Sequence, residues 1–261
     1  MWTVCMMMAT NLRGMVVLSV LLITTTEVIS SRARRGGPSL DDIFTLQPDV
    51  RTTVANSLWG FDAFPNSPPV PVNGSLTIGY FNSSGGGVVT EMHLVLQGPS
   101  RAVLQRHVAL SITYDDLPYP SVFVPVGDFF GDQENGADSH FENAYFARRP
   151  VDSWFCYIPM PYKKSIRIEL VNQSPSPITG YNVVYHDSKP WVDGTGYFHA
   201  YYSSNSLLKF PWQPAPILPA DGFQGPGHLL GTSLVFVGKN SSKFGGTFEH
   251  ICEGNYEIYF D

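Results

Sequence analysis

An all-β sandwich is the fold class that this sequence predicts, on three observations. Its 24 glycines and 21 prolines divide the chain into short segments bounded by Gly, Pro, Asn and Ser, the punctuation of strands and turns. Apolar residues recur at every second position in several of those segments, and no window keeps a helical period beyond a turn or two. With 43% hydrophobic, 13% aromatic and only 15% charged residues, the composition excludes a coiled coil and a disordered chain, which need more charge and fewer aromatics. The net charge of -6 argues against nucleic acid as a partner, because phosphate recognition needs a clustered basic surface.

Residues 1–30 have the layout of a secretory signal peptide, with Arg13, an apolar run from Met15 to Ile23, and small or polar residues up to Ser30. The run is short for a bilayer span, so a secreted protein without membrane association is expected. Residues 31–38 read as a basic linker, in which Arg32-Ala33-Arg34-Arg35 is either a convertase-type cleavage motif or a solvated basic stretch. Removing the leader takes away one arginine and one glutamate, so the acidity belongs to the mature chain. Cys5 leaves with it, and Cys156 and Cys252 either pair or pack as separate buried thiols. Four N-x-S sequons, at Asn73, Asn82, Asn172 and Asn240, stand beside turn residues. Each is expected on a surface loop open to a glycan.

The strands follow in order. Val88, Met92, Leu94 and Leu96 share one face of a first segment, with Glu91 and His93 on the other. Val108, Leu110, Ile112 and Tyr114 alternate with Ala109, Ser111 and Thr113; Ile166, Ile168 and Leu170 alternate with Arg167 and Glu169. Near the C-terminus Cys252, Gly254, Tyr256, Ile258 and Phe260 oppose Glu253, Asn255, Glu257 and Tyr259. Period two marks strands with one face buried. Pro-rich stretches at Pro65–Pro71 and Pro211–Pro219 separate the strand blocks. The second divides an N-terminal jelly-roll β-sandwich over 39–210 from the incomplete start of a second sandwich over 211–261.

The seven histidines are scattered, none as H-x-H or H-x-x-x-H, so no metal site is expected and no cofactor either. No G-x-S-x-G elbow is present, and nothing beside Cys156 would lower its pKa. Carboxylates are the better lead. Asp128 in V-P-V-G-D-F-F-G either meets a polar ligand, with Phe129 and Phe130 as apolar walls, or caps a turn. Glu253 shares a strand face with Asn255, Glu257 and Tyr259. Glu253 and Glu257 lie about 13 Å apart along a strand, beyond the roughly 5–9.5 Å that separates glycosidase carboxyl pairs.

Five blocks in order, V-P-V-G-D-F-F-G (124–131), F-C-Y-I-P-M-P-Y-K-K-S-I-R-I-E-L-V-N-Q (155–173), G-Y-F-H-A (196–200), G-H-L-L-G-T (227–232) and C-E-G-N-Y-E-I-Y-F-D (252–261), resemble glycoside hydrolase family 172. The resemblance runs from Ser39, in an opening S-L-D-D-I, to Asp261. It implies a double jelly roll related to viral capsid folds and a trimer-based homo-oligomer. It also implies retaining hydrolysis of α-fructofuranosides or arabinofuranosides without a metal. Glu253 matches the family's general acid/base; Asp128, Phe129 and His199 fall at positions expected near the sugar. Where the family carries D-x-T-G-G-N, this chain has Asn56–Asp62, and Trp59 and Asp62 are the substrate-binding candidates there. The family's nucleophile, in G-T-E-D-Y-F, would follow beyond Asp261. A retaining reaction needs both carboxylates, so the chain reads as C-terminally truncated and is expected to be inactive by itself. A non-catalytic reading stands beside this one. In it, Trp59, Trp154, Trp191 and the Tyr-rich 197–202 segment stack on saccharides or pack a subunit interface.

Overall fold

The computed structural model of the chain describes residues 2–5, 7–8, 18–24, 49–59, 68–132, 140–150, 152–204 and 226–234. Two sheets pack as a sandwich. Sheet A runs in the order β2 (Met7–Met8), β16 (His228–Leu234), β1 (Trp2–Cys5), β3 (Leu18–Thr24), β15 (Phe198–Ser203), β8 (Val122–Pro125), β7 (Val108–Tyr114), β13 (Ser165–Asn172) and β5 (Ser75–Asn82). Sheet B runs β4 (Thr52–Trp59), β14 (Thr179–Asp187), β6 (Gly87–Gln97), β11 (Ser153–Cys156), β10 (Phe146–Arg149) and β9 (Phe141–Glu142), with β12 (Met160–Tyr162) also on β6. The chain crosses repeatedly between sheets, from β5 to β6 to β7 and from β12 to β13 to β14 to β15. Such crossings let each strand bury one face against the other layer.

The expected alternation holds where strands run unbroken. Leu110, Ile112 and Tyr114 of β7 and Ile166, Ile168 and Leu170 of β13 are fully buried, and Arg167 is exposed. In β6 the alternation changes phase. Its ladder with β14 shifts register between Tyr185 and His186, skipping Thr90, so Val89 rather than Val88 joins Met92, Leu94 and Leu96 as fully buried. One extra residue in a strand turns every side chain before it to the other face. Two short helices complete the described fold. In α1 (Arg101–His107), the Ser100 hydroxyl accepts from the Val103 N–H, the usual N-cap bond. The second, α2 (Val126–Phe129), is a single turn following β8.

The segment read as a leader contributes β1, β2 and β3, which pair with β15 and β16. Cleavage after residue 30 would therefore leave β15 with β8 as its neighbour in sheet A. The strand at His228–Leu234 lies in sheet A. The C-terminal alternation at 252–261, together with Cys252, Glu253, Asp62 and Asn240, lies outside the described residues.

Buried polar side chains tie the layers together. Asn182 on β14 accepts at Oδ1 from Ser57 Oγ (2.7 Å) and Trp59 Nε1 (3.2 Å), and donates from Nδ2 to Ile78 O on β5 in the other sheet (2.9 Å). Trp59, read as a substrate contact, is thus a core residue, 1% exposed. Gly180 makes room for it, since a Cβ there would stand 2.2 Å from Val95 O and 2.6 Å from the Trp59 ring. Asn172, expected on a surface loop, is sealed instead. Its Nδ2 donates to Val70 O (3.1 Å), Pro71 O (3.1 Å) and Ser176 O (2.9 Å), and its Oδ1 accepts from Ser174 N (2.9 Å). An amide so occupied in the interior has no room for a glycan.

Replacing Asn182 with Ala removes both ends of this clasp and leaves Trp59 Nε1, Ser57 Oγ and Ile78 O without it. Buried groups deprived of a partner cost about 1–3 kcal/mol each, part of which relaxation and water recover. Denaturant unfolding is expected to show a loss of about 2–4 kcal/mol.

Candidate functional site

Asp128 and its surroundings come first, because the sequence pattern singled them out. The V-P-V-G-D-F-F-G block folds as the end of β8 and the turn α2. Asp128 is 1% exposed and takes both oxygens to one guanidinium group, that of Arg106 on α1, at 2.8 and 2.7 Å. The pair locks α1 to α2. Phe129 is also interior, packed edge-on against Phe130, Phe146 and Phe198 with centroids 4.9, 5.7 and 6.1 Å away. It forms core, not the wall of a pocket. A second pair lies beside the first: Arg148 Nε, fully buried, stands 3.0 Å from Asp132 Oδ2, which also accepts from Trp154 Nε1 at 2.8 Å. Burial raises the Asp132 pKa, while Gln105, Trp154 and the Arg148 charge pull it back. Asp152, at the β10–β11 turn, bonds Arg101 and lies 3.7 Å from Arg148. Asp128, Asp132 and Asp152 are therefore each committed to an arginine.

His199 on β15 is half-buried, and burial lowers its pKa. It follows Phe198, which touches Phe129, but successive side chains of a strand point to opposite faces, so that contact joins Phe198 and not His199 to the Asp128–Phe129 region. Trp59 lies apart, on β4 of the other sheet.

An open cleft lies elsewhere. A concavity of about 350 Å³ is lined by Gly87, Thr90, Pro159, Pro161, Lys189 and Trp191, among others. The start of β6, strand β12 and the β14–β15 connection form it. Its size falls in the range of small-ligand sites, and its walls are mostly apolar, with Pro159, Pro161, Pro190 and Trp191 among them. Trp191 is positioned by its backbone N–H donating to Gly85 O (2.8 Å) and by its ring lying 5.0 Å from the Tyr197 ring. Tyr197 in turn bonds Asp115 through its hydroxyl; burial and that carboxylate raise its pKa. Lys189, exposed at the rim, stands 3.7 Å from Asp187.

Behind Gly87 runs a buried relay. Tyr162 Oη lies 2.6 Å from His186 Nε2, and His186 Nδ1 lies 3.0 Å from Thr53 Oγ1. Burial pushes Tyr162 up to about 12 and lowers His186 below its ordinary 6.5, the Asp187 charge opposing. Tyrosine is thus the donor and a neutral imidazole the acceptor, which puts the imidazole proton on Nδ1, facing Thr53. Phe81 stacks on the ring at 4.5 Å. Gly87 is required here: a Cβ would lie 2.4 Å from His186 Nε2 and 2.5 Å from Tyr162 Oη. On the outer face of sheet B, His93 Nε2 bonds Ser153 Oγ at 2.8 Å and the ring stacks on Phe155 at 4.1 Å. Among the described residues, no three His, Cys, Asp or Glu groups gather as a metal site, and no helix is long and apolar enough to cross a membrane.

Sequence reasoning did not find Arg106, Asp132, the Tyr162–His186 relay or Lys189. A signal existed for two of them. Ser100 followed by R-A-V-L-Q-R-H reads as a capped helical turn ending in Arg106, and Lys189-Pro190-Trp191 is a loop signal between two strands.

A family model described as GH172 domain-like matches residues 68–183. This central segment is GH172-like. No curated protein matches the chain. The GH172-like segment runs from the Val70 bridge to the middle of β14. It contains both buried ion pairs and half of the cleft (Gly87, Thr90, Pro159, Pro161), while Lys189 and Trp191 follow it directly.

The His186 relay sets an acid limit on stability. With its folded pKa below 6.5, the neutral imidazole contributes stability that is fully present above about pH 6.5 and is lost as pH falls through the lowered folded value. Unfolding midpoints measured at about pH 7.5 and about pH 5 should differ more for the wild type than for His186→Gln, which does not titrate. Equal differences would contradict the assignment.

Proposed function

We propose that this is a secreted carbohydrate-active protein that acts on furanosides, α-fructofuranosides or arabinofuranosides, by a retaining mechanism, as a trimer-based homo-oligomer. The GH172 domain-like match over 68–183 carries the reading, set on the all-β sandwich. The C-E-G-N-Y block (252–256) supports Glu253 as the general acid/base. In that role its carboxyl protonates the departing glycosidic oxygen, and its carboxylate later deprotonates the water that opens the glycosyl-enzyme. The nucleophile is not assigned to any residue of this chain. Asp128 and Asp132 are poor candidates for either role, since each is buried against an arginine, and freeing one would strand that cation.

The cleft favours a second reading, a saccharide-binding jelly roll without chemistry. A lining of Trp191 and three prolines, with Thr90, Thr195 and Lys189, suits the apolar face and hydroxyls of a sugar and includes no carboxylate pair.

One experiment separates the readings: hydrolysis of aryl α-arabinofuranosides and α-fructofuranosides by the native full-length protein, with binding of the same sugars measured in parallel. Under the first reading Glu253→Gln lowers turnover by about 10²–10⁴-fold, the usual share of a general acid, with folding intact. Sugar binding without product, lost in Trp191→Ala and unaffected by Glu253→Gln, would replace it with the second.

A further inference from the structure

Strand β5 ends sheet A among the described residues. β13 pairs along one side of it, from Ser165 opposite Asn82 to Val171 opposite Ser75, and no described strand pairs with the other. An edge strand offers its unpaired N–H and C=O groups to any other edge it meets, and proteins blunt such edges with lysine, proline or inward charges. β5 has none of these, though it carries one bulge, at Ile78, where its ladder with β13 shifts register. Its sequence, S-L-T-I-G-Y-F-N, carries no charge and no proline, and Tyr80 is 49% exposed. A β-prone, uncharged segment of this length on an open edge is a pairing hazard. The edge strand of the other sheet, β4, lies on the same side of the sandwich and is likewise uncharged.

Two of the sequons bracket this edge. Asn73 precedes β5 by two residues, exposed in the turn closed by Gly74 N donating to Pro71 O (3.0 Å). Its φ of 58° is that of the third residue of a type II turn, a place asparagine tolerates. Asn82 is the last residue of β5 and is also exposed. The two side chains stand at opposite ends of a strand roughly 25 Å long. The third described sequon gives the contrast, because the Asn172 amide is consumed inside the fold.

We propose that Asn73 and Asn82 carry N-linked glycans, that Asn172 does not, and that the pair keeps the β5 edge from pairing with a second copy of the chain. In the modification, each Asn amide nitrogen attacks the anomeric carbon of an oligosaccharide carried on a polyisoprenyl pyrophosphate. An N–C bond forms, the C–O bond to pyrophosphate breaks, the polyisoprenyl pyrophosphate leaves and the amide gives up one proton. Hydrated oligosaccharides at both ends then occupy the space that another strand would enter. The proposal rests on the secreted reading above, and its test separates the two.

The full chain is produced in a glycosylating eukaryotic cell. Site occupancy is read by peptide mass spectrometry after enzymatic deglycosylation in heavy-oxygen water, and association by sedimentation velocity. Modified Asn73 and Asn82 with unmodified Asn172 are expected. The Asn73→Gln/Asn82→Gln variant is expected to sediment as species larger than the wild type, and adding Thr77→Lys on the β5 edge is expected to restore the wild-type profile. Trimming the glycans from the folded wild type repeats the first comparison without relying on a variant's folding. A lumenal chain with Asn73 or Asn82 unmodified, or with unchanged sedimentation after glycan removal, overturns the proposal alone. A chain held in the cytosol with no modified sequon overturns the secreted reading together with it.

Discussion

A polar group taken out of water must find its partner inside the protein, and this sandwich meets that constraint with the side chains that look most chemical in the sequence. Arg148 is completely buried and rests on Asp132. Asp128 is turned inward and takes both its oxygens to Arg106. Asn182 spans the two sheets, and Asn172 closes the turn beside Val70. An unpaired charge at such depth costs several kcal/mol, so these partners cannot be lent to a ligand without loosening the fold. The ion pairs also set the local architecture: α1 and α2 are too short to be stable alone, and the Arg106–Asp128 bridge joins them into one cap over the core.

The placement of the cleft follows from the same layout. With the acids committed to one region, the described concavity forms where β6, β12 and the β14–β15 connection meet, and its walls come from prolines and Trp191. Gly87 lets the Tyr162–His186 relay press against the cleft floor. The GH172-like segment supplies one side of this cleft and Trp191 the other.

How much of this was legible in the sequence depended on how local each determinant is. The strands at 108–114 and 165–172 could be read directly, because both run straight through the middle of a sheet and period two is all they need. The strand at 87–97 was read with Val88 in the core, since the extra residue at Thr90 has no signature of its own. Asp128 looked like a ligand contact because its neighbours are Gly and Phe; the arginine that claims it lies on a different element, 22 residues earlier. Asn172 carries a valid sequon, and only the contact with Val70, 102 residues away, seals it. Trp59 was open to both readings until Asn182 and Gly180 were seen beside it. Partnerships of this kind are made by topology, and topology is not written in the spacing of one motif.

The claim that buried pairing governs the chemistry at this end of the sandwich is tested most directly by a double-mutant cycle on Arg106 and Asp128, with unfolding free energy as the readout and furanoside binding measured on the same proteins. The account predicts that Arg106→Ala and Asp128→Ala each cost about 3–5 kcal/mol, and that the double variant loses far less than their sum, because each single change strands one buried charge. An Asp128→Ala protein as stable as the wild type, with sugar binding abolished, would contradict it and return Asp128 to the saccharide.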